Sequence, residues 1–580
     1  MPDPSNQDVA RIFTEIADML EIKGGDVFKI RAYRKAAQAV AGVSEPLAAL
    51  RARGELKAVP GIGASTAAKI EELLDTGQVA YHQELLFEFS PGLVVLLRIP
   101  EVGPKTALLL YRELGIADVE TLEQACKDQR LRGIKGLGAK TEENILRGIE
   151  RYRGRSGRLP LAVAYPHAQE IMAALRAQAP VEEMVVAGSI RRMRDTIGDI
   201  DILVTSRQPE AVMAAAAGLY LVREVVASGP TKTAIVTNLD VEVDFRVVEP
   251  ESFGAALQYF TGSKEHSVRL REMAVKRGLK LSEYGVYQAD SGERLGGATE
   301  EEMYGALGLP LIPPELRENT GEIELAAQGI VPPLVSLEDL RGDLHVHTDW
   351  SDGRGSLAQM AEAARARGCQ YLAICDHSVS RAIANGLGPE RLATQRAEID
   401  RLNGEYGGEF RLLAGCEVDI RRDGALDLPD EVLAGLDLVV ASIHSAFNIP
   451  AEAMTARLMS ALQNPFVDII AHPTGRIVGQ REPYDFDLER VLAEAARLGV
   501  AMEINAFPDR LDLKDSHARR AQDLGCSLAI NTDAHHPDHL GLAFYGVSTA
   551  RRGWAAPTTV LNTLPLAELL PRLRRHRHAG

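Results

Sequence analysis

The sequence predicts a multidomain protein with a helical N-terminal region, an α+β core and a C-terminal α/β barrel. Its 580 residues exceed the roughly 250 to 300 that one hydrophobic core usually serves. Glycine-rich phrases followed by segments of helical periodicity recur in the first 155 residues. After residue 343, apolar runs alternate with helical stretches, which is the pattern of a mostly parallel sheet.

The composition is that of a globular protein without an export signal. The net charge of −16 argues against nucleic-acid binding through overall charge, although a local basic face is compatible with it. No basic N-terminal segment leads into an apolar one, and no apolar run reaches about 18 residues. We therefore expect a cytoplasmic, nucleoid-associated monomer without membrane contact. The five cysteines form no C-x-x-C pair, which indicates a reducing compartment and no thiolate zinc site: Cys126, Cys369, Cys375, Cys416 and Cys526.

The N-terminal region repeats one motif in the phrases VPGIG, IPEVG and IKGLG, at residues 59–63, 99–103 and 134–138. The periodicity after each phrase predicts a helix, over 64–74, 104–114 and 139–149. A glycine-rich turn at a helix N-terminus exposes N–H groups that can bind a DNA phosphate without reading a base. Three copies resemble the helix-hairpin-helix of DNA-binding proteins, and tight loops between packed helices are the alternative. The expected DNA-contacting residues are Gly61, Gly63, Gly103, Lys105, Gly136, Gly138 and Lys140.

The core is organised around residues 186–204, VAGSIRRMRDTIGDIDILV. Residues two apart on a strand face the same side, so Asp199 and Asp201 are expected to point into one site. The alternating stretch 241–247 adds Asp244 from a neighbouring strand. Carboxylate oxygens suit Mg²⁺, and the turn at Gly188 and Ser189 can hold a phosphate. This pattern predicts a metal-dependent phosphate site, with an edge strand and a solvated face as the alternative.

The N-terminal segments FKIRAYRKAA and VPGIGASTAAKIEELLDTG resemble the small domain of the X-family DNA polymerases. The resemblance places Lys69 at the family's Schiff-base lysine and implies a pocket for a 5′-phosphate formed by Lys29, Tyr33 and Lys57. Phe28 and Ser65 stand where that family carries basic residues. A 5′-phosphate contact is therefore expected, and deoxyribose-phosphate excision through Lys69 is a hypothesis.

The same resemblance continues through the core to about residue 320. It implies that Asp199, Asp201 and Asp244 hold two Mg²⁺ or Mn²⁺ ions, which activate a primer 3′-hydroxyl and stabilise the leaving pyrophosphate. The segment YFTGS, 259–263, matches the family's sugar-and-phosphate loop, although an aromatic turn capping a core helix is the simpler interpretation. The nucleotide-binding residues implied by the resemblance are Gly188, Ser189, Arg192, Gly198, Tyr259, Phe260, Gly262, Ser267 and Arg271.

In the C-terminal third, nearly every apolar run ends in a side chain that can bind a metal. Seven predicted strands carry such residues at their carboxyl ends, which is the geometry of a closed α/β barrel site. Imidazole and carboxylate without thiolate favour Zn²⁺, Mn²⁺ or Fe over Mg²⁺. The segment resembles the polymerase-and-histidinol-phosphatase (PHP) domain, a distorted seven-stranded barrel, which implies a multinuclear Mn²⁺ or Zn²⁺ site with Glu417 bridging ions. The matching ligands are His345, His347, Asp352, His377, Glu417, His444, His472, Asp533 and His535.

The two resemblances imply six segments: an N-terminal lyase-like and 5′-phosphate-binding domain, a helix-hairpin-helix region, a nucleotidyltransferase palm, a thumb, a linker and the PHP barrel. Their expected bounds are 1–80, 81–158, 159–250, 251–320, 321–341 and 342–575.

The predicted function is gap-filling DNA repair synthesis on gapped or nicked DNA with a 5′-phosphate and dNTPs. The barrel is expected to be a Mn²⁺-dependent phosphoesterase acting as a 3′-5′ exonuclease, an abasic-site endonuclease or a 3′-phosphatase. The alternatives are a template-independent nucleotidyltransferase and a DNA-binding scaffold with an inactive transferase that delivers the nuclease.

Overall fold

The computed structural model describes residues 6–23, 25–42, 47–59, 61–88, 96, 99, 102–134, 136–154 and 158–573. The chain divides into two compact units, Met1–Gly157 and Arg158–Gly580. Among the described residues, no helix is long and apolar enough to cross a membrane. Parts of the repeated phrases lie outside the described residues, namely Pro60, Pro100, Glu101 and Lys135.

The N-terminal unit is helical, as predicted. Three of its helices begin directly after the repeated phrases and confirm the periodicity-based predictions, while Gly63 and Gly103 are the N-cap residues of two of them. Side chains such as Phe13, Ile70 and Leu110 are fully buried in its core, each contributing about 1.5–3 kcal/mol relative to exposure. The helices are α1 Asn6–Ile22, α2 Val27–Gly42, α3 Leu47–Ala52, α4 Ala64–Thr76, α5 Ala80–Glu88, α6 Pro104–Leu114, α7 Val119–Lys127 and α8 Ala139–Gly154.

The second unit starts with an α+β region whose main sheet has the order β2-β4-β7-β6-β5. The pair β4–β7 is parallel and the other neighbours in this sheet are antiparallel. The strands are β1 Leu159–Pro160, β2 Glu183–Val186, β3 Thr196–Ile197, β4 Asp199–Thr205, β5 Val222–Ser228, β6 Lys232–Thr237 and β7 Glu242–Val247. The helices are α9 Leu161–Gln178, α10 Gly188–Arg191 and α11 Pro209–Ala217.

A second α+β region follows, in which a small antiparallel sheet packs with helices. The sheet has the order β10-β9-β8, from β8 Leu279–Ser282, β9 Gly285–Gln288 and β10 Arg294–Gly296. The helices are α12 Phe253–Thr261, α13 Lys264–Lys276, α14 Glu300–Ala306 and α15 Glu322–Ala326.

In the described C-terminal region, seven parallel strands follow chain order from β11 to β17, as predicted. A bridge between Val346 and Ala534 brings the first and last strands together, so the sheet is a nearly closed barrel. The strands are β11 Gly342–Val346, β12 Tyr371–Ile374, β13 Arg411–Asp419, β14 Leu438–Ser442, β15 Ile469–Ile470, β16 Ala501–Asn505 and β17 Leu528–Asn531. The helices are α16 Leu357–Ala366, α17 Pro389–Glu405, α18 Asp430–Leu433, α19 Ala451–Gln463, α20 Leu488–Leu498, α21 Asp515–Asp523, α22 Ala543–Arg552 and α23 Leu566–Leu569.

The segment expected to be a linker, 321–341, packs against both of its neighbours. Ile323 is buried in the same cluster as the helices after β7, whereas Val335 is fully buried in the barrel cluster. The barrel also packs directly on the first sheet, because Leu511 and Tyr545 belong to that sheet's hydrophobic cluster. Residues 158–573 therefore form one unit in which the core and the barrel share contacts.

Candidate active sites

Three carboxylates converge in the amino-terminal half of the first sheet's parallel pair, β4 and β7. In the register of β4 and β7, Asp201 lies opposite Asp244 and Asp199 opposite Glu242. Their strand neighbours on the other face, such as Ile200 and Val243, are fully buried. The alternation predicted from the sequence thus brings Asp199, Asp201 and Asp244 onto one face.

The electrostatics of this face favour a cation. Burial, followed by the charges of Asp199 and Asp244, raises the pKa of Asp201 to about 7. Lys232 and Arg246 lie 3.1 and 3.2 Å from Asp244 Oδ2, while Asp244 Oδ1 is buried without a hydrogen-bond partner. Crowded carboxylates with an unpartnered buried oxygen fit a divalent cation, which removes the repulsion between them.

Gly188 permits the close approach of α10 to this face. It adopts a φ of +62°, and a Cβ added there would lie 2.7 Å from Asp201 Oδ2. The neighbouring Ser189 hydroxyl is buried without a hydrogen-bond partner. The predicted Gly-Ser turn therefore stands directly beside the acids, with a hydroxyl available to a ligand.

Arg192 and the YFTGS segment also meet at this site. Arg192 Nε donates to Glu318 Oε1 at 3.1 Å, and its Nη1 donates to the carbonyl oxygen of Thr261. Gly262 has a φ of +68°, and a Cβ there would lie 3.2 Å from Arg192 Nη1. Small size at position 262 therefore makes room for the arginine.

The aromatic residues of this segment end α12 rather than forming an open loop. The rings of Tyr259 and Phe260 contact each other at 5.1 Å, and Arg246 lies over Phe260 at 4.4 Å. Arg271 lies 5.9 Å from the Tyr259 ring, and the Ser267 hydroxyl is buried without a hydrogen-bond partner.

Arg158, which the sequence patterns did not indicate, also contacts this site. Its Nε donates to Thr196 Oγ1 at 2.9 Å and its Nη2 to the Thr196 carbonyl at 2.7 Å. A Cβ at Gly198 would lie 3.1 Å from Arg158 Nη1. This arginine therefore lies against the glycine that precedes Asp199.

In the N-terminal unit, the predicted Schiff-base lysine lies beside two tyrosines. Lys69 Nζ is 5.4 Å from the ring of Tyr81, which stacks on Tyr33 at 6.3 Å. Burial and, to a smaller extent, the electrostatic interaction with Tyr81 raise the pKa of Tyr33 to about 12, so its hydroxyl stays protonated. Lys29 and Lys57 are exposed, and sequence reasoning missed Tyr81 because an isolated aromatic residue carries no pattern.

Of the predicted DNA-contacting residues, Gly61 and Gly136 have left-handed φ values of +108° and +98°. A Cβ at Gly61 would approach Ala39 to 3.0 Å, so this turn packs closely on α2. Gly138 and Lys140 are exposed at the start of α8, whereas the side chain of Lys105 lies outside the described residues.

The barrel collects the predicted metal ligands at the carboxyl ends of its strands. Glu417 is central: its Oε1 lies 2.9 Å from His472 Nε2 and 3.2 Å from His444 Nε2, and its Oε2 lies 2.7 Å from His377 Nδ1. His347 Nε2 lies 3.1 Å from Asp533 Oδ1. The side chains group into three sets that could each hold an ion: His347, Asp352, His377 and His535; His345, His347 and Asp533; and His377, Glu417 and His444.

The buried donor atoms of these sets fit bound metal ions. The buried Nδ1 atoms of His347 and His472 have no hydrogen-bond partner, and the 2.7 Å contact between His377 Nδ1 and Glu417 Oε2 lacks the geometry of a hydrogen bond. Burial alone would raise the pKa of Asp352, but His377 and His535 hold it well below the ordinary range. Nitrogen and oxygen donors left unpartnered in a buried cluster fit divalent transition ions. The predicted ligands Asp352 and His535 thus lie with the others in space.

A second layer of acids lies behind the predicted ligands and orients their side chains. Glu503 Oε1 lies 2.8 Å from His345 Nδ1, and Asp419 Oδ1 lies 3.0 Å from His444 Nδ1. Such carboxylates fix the imidazole tautomer and raise its basicity. Burial raises the pKa of Cys375 and Cys416 well above the ordinary value, and both thiols pack in the hydrophobic core of the barrel.

Comparison with known proteins gives the same assignment for each part. The family models that match are helix-hairpin-helix domain (residues 4–79), SAM-like helix-hairpin-helix tandem (94–151), DNA polymerase beta palm (158–269), DNA polymerase beta thumb (256–318) and PHP domain (343–506).

Among individual proteins, the chain is 41% identical over 572 residues to the DNA polymerase/3′-5′ exonuclease PolX of Bacillus subtilis, covering 98% of this chain and 99% of the relative. The barrel region alone is 30% identical over 232 residues to a probable phosphatase of Thermoanaerobacter pseudethanolicus, covering 38% of this chain and 89% of the relative. It is also 32% identical over 202 residues to a probable phosphatase of Acetivibrio thermocellus, covering 33% of this chain and 78% of the relative. The chain therefore belongs to the family X DNA polymerases that carry a C-terminal PHP domain, which confirms the predicted fold class and resemblance.

Proposed function

We propose that the palm and thumb extend a DNA primer by templated nucleotidyl transfer and fill gaps during DNA repair. The observation that carries this proposal is the placement of Asp201 opposite Asp244 on parallel strands, with Asp199 on the same face. Two Mg²⁺ or Mn²⁺ ions bound there would supply activation of the primer hydroxyl and stabilisation of pyrophosphate. Gly188 keeps the space in front of Asp201 open for this.

The surrounding residues would bind the nucleotide. Arg192 supplies positive charge to the triphosphate, and the buried hydroxyl of Ser189 offers it a hydrogen bond. Tyr259 and Phe260 pack against the sugar, while Arg271 lies on the exposed side of Tyr259, where a template strand would pass.

Primer extension on a gapped substrate tests this proposal. Asp201→Asn keeps the side-chain size but removes a metal ligand, so we expect about a thousandfold loss of extension. Asp290→Asn, on an exposed turn, is the matched control. Extension that survives in Asp201→Asn would reject this site, whereas a wild-type chain that extends no primer would favour a scaffold with an inactive transferase. Omitting the template strand separates a template-independent transferase, which would extend the primer equally well.

The barrel is proposed to hydrolyse DNA phosphodiesters from the 3′ end with Mn²⁺. The retained ligand sets support this, as does the 3′-5′ exonuclease in the name of the Bacillus subtilis relative. Divalent ions at the three sets would supply a deprotonated water and charge neutralisation at the phosphate. His345, held by Glu503, and His347 keep their nitrogens directed into the cluster.

Labelled oligonucleotides distinguish the possible activities of the barrel. An exonuclease gives a ladder from the 3′ end, an abasic-site endonuclease gives one internal cut, and a phosphatase only removes a 3′-phosphate. We expect a ladder that disappears in His345→Ala with His347→Ala and persists in His536→Ala, an exposed histidine. A ladder that persists in the double variant would assign the nuclease to another site.

The N-terminal unit is proposed to bind a 5′-phosphate and, through Lys69, to excise a deoxyribose phosphate. The two tyrosines beside Lys69 provide a partly apolar surface for the amine. Borohydride reduction should trap a covalent adduct with abasic DNA in the wild type and in Lys127→Ala. Undiminished trapping in Lys69→Ala would remove Lys69 from this role.

A further inference from the structure

Glu318 lies between arginines from the palm and from the barrel. Its Oε1 accepts hydrogen bonds from Arg192 Nε at 3.1 Å and from Arg552 Nη1 at 3.0 Å. Arg194 Nη1 lies 3.8 Å from the same oxygen. One carboxylate oxygen is therefore shared between the arginine proposed to bind the triphosphate and an arginine of the PHP barrel.

Arg552 is held firmly in this position. It ends α22 with a side chain only 4% exposed, and its Nε and Nη2 donate to Asp515 Oδ2 at 2.9 and 2.6 Å. Its Nη1 also donates to the carbonyl oxygen of Arg192 at 2.8 Å. The barrel thus contacts both the backbone of Arg192 and the carboxylate that pairs with its side chain.

The charges around Glu318 are unequal. Three guanidinium groups, those of Arg192, Arg194 and Arg552, face the two carboxylates of Glu318 and Asp515. A surplus of positive charge therefore remains beside the polymerase site, and water screens it weakly because Arg192 and Arg552 are mostly buried. Without Arg552, only Arg192 and Arg194 of these three arginines would pair with Glu318, so Arg192 would be held more tightly by this carboxylate.

We propose that Arg552 of the barrel is a positioning residue for the nucleotide. By sharing Glu318 and fixing the Arg192 carbonyl, it leaves the Arg192 guanidinium able to exchange its contact with Glu318 for the triphosphate. This inference rests on the proposed polymerase function, in which Arg192 binds the triphosphate. It gives the PHP barrel a part in DNA synthesis that does not require its metal ligands.

The test is the KM for dNTP in primer extension by the full-length chain. Arg552→Gln should raise this KM about five- to tenfold with a smaller change in kcat, the usual range for coupling between two sites. Arg551→Gln is the matched control, because Arg551 binds Glu315 across the same interface at 2.6 Å. That variant should keep the KM within about twofold of the wild type, because Arg551 donates to Glu315 and to the Val335 carbonyl rather than to Glu318 or Arg192.

Rescue separates this role from simple damage to the fold. Glu318→Gln removes the competing charge, so alone it should leave the KM unchanged or lower it. In Arg552→Gln, the added Glu318→Gln should return the KM to within about twofold of the wild type. Two structural defects would instead add, and a KM that stays raised in the double variant would overturn the proposal.

Further outcomes are equally decisive. An unchanged KM in Arg552→Gln, or an equal rise in Arg551→Gln, would reject the inference while leaving the polymerase function intact. If Arg552→Gln does not fold, the KM of Glu318→Gln is measured instead. A raised KM in that variant would reject the inference. A wild-type chain that extends no primer would instead reject the proposed function itself, and the inference with it.

Discussion

The α-carbon of Gly188 stands so close to the Asp201 carboxylate that a Cβ would lie 2.7 Å from Oδ2. A side chain at position 188 would displace the Asp201 carboxylate, which belongs to the proposed metal site. The glycine is therefore required by the site as well as by its left-handed φ of +62°.

Gly188→Ala should thus lose activity while the chain stays folded. Displacing Asp201 by a fraction of an ångström should lower kcat for primer extension about a hundredfold. Gly305→Ala, where the added methyl meets no atom within 4 Å, should leave kcat unchanged. Circular dichroism checks the fold of both variants, and near-wild-type kcat in Gly188→Ala would contradict the proposed role of this contact.

The sequence was sufficient to place Asp199, Asp201 and Asp244, because strand alternation converts spacing directly into a shared face. It also predicted that the candidate metal-binding side chains of the barrel lie together, since the ends of parallel strands meet at one edge. Contacts such as Arg192 with Arg552 could not be predicted, because the two residues are far apart in sequence and neither lies in a periodic pattern. Tyr81 beside Lys69 and Asp419 behind His444 were missed for the same reason.

Acid should weaken the junction between palm and thumb at Glu300. This carboxylate accepts hydrogen bonds from Arg191 Nη2 at 2.7 Å and Arg317 Nη1 at 2.5 Å. Burial alone would raise the pKa of Glu300, but the two arginines lower it from 4.5 to about 2. Between pH 4.5 and about 2, Glu300 is therefore protonated in the unfolded chain but still ionised in the folded chain. The free energy of unfolding consequently falls as the pH drops from 4.5 toward 2.

Urea unfolding at a series of pH values measures this effect. Glu300→Gln should be less stable than the wild type at pH 7, by at most about 3 kcal/mol, and the difference should shrink as pH falls below 4.5. Glu301→Gln, exposed in the same helical turn, should show a small difference that does not vary with pH. A constant deficit for Glu300→Gln down to pH 3 would mean that its carboxylate is not stabilised by the arginines.

Glu503→Gln should weaken metal binding in the barrel without removing a ligand. Its Oε1 lies 2.8 Å from His345 Nδ1, and its Oε2 accepts from the His472 backbone N–H at 2.8 Å. Loss of such an orienting carboxylate typically costs about 10- to 100-fold in metal affinity. Nuclease activity should therefore fall at low Mn²⁺ and recover at high Mn²⁺, as followed by Mn²⁺ titration. Activity that excess Mn²⁺ cannot restore would instead assign Glu503 to the reaction itself.

Asp352→Asn should remove one ion from the barrel and leave the others bound. Asp352 belongs to only one of the three ligand sets, whereas His347 and His377 each belong to two. An amide is a poorer ligand than a carboxylate, so the set with His535 should empty first. Elemental analysis after gel filtration should find about one Mn²⁺ or Zn²⁺ fewer per chain than in the wild type, because we propose one ion for each set. Asp349→Asn, an exposed neighbour on the same loop, should keep the wild-type content. Equal metal content in the two variants would exclude Asp352 as a ligand, and complete loss of metal would show that the three sets load cooperatively rather than singly.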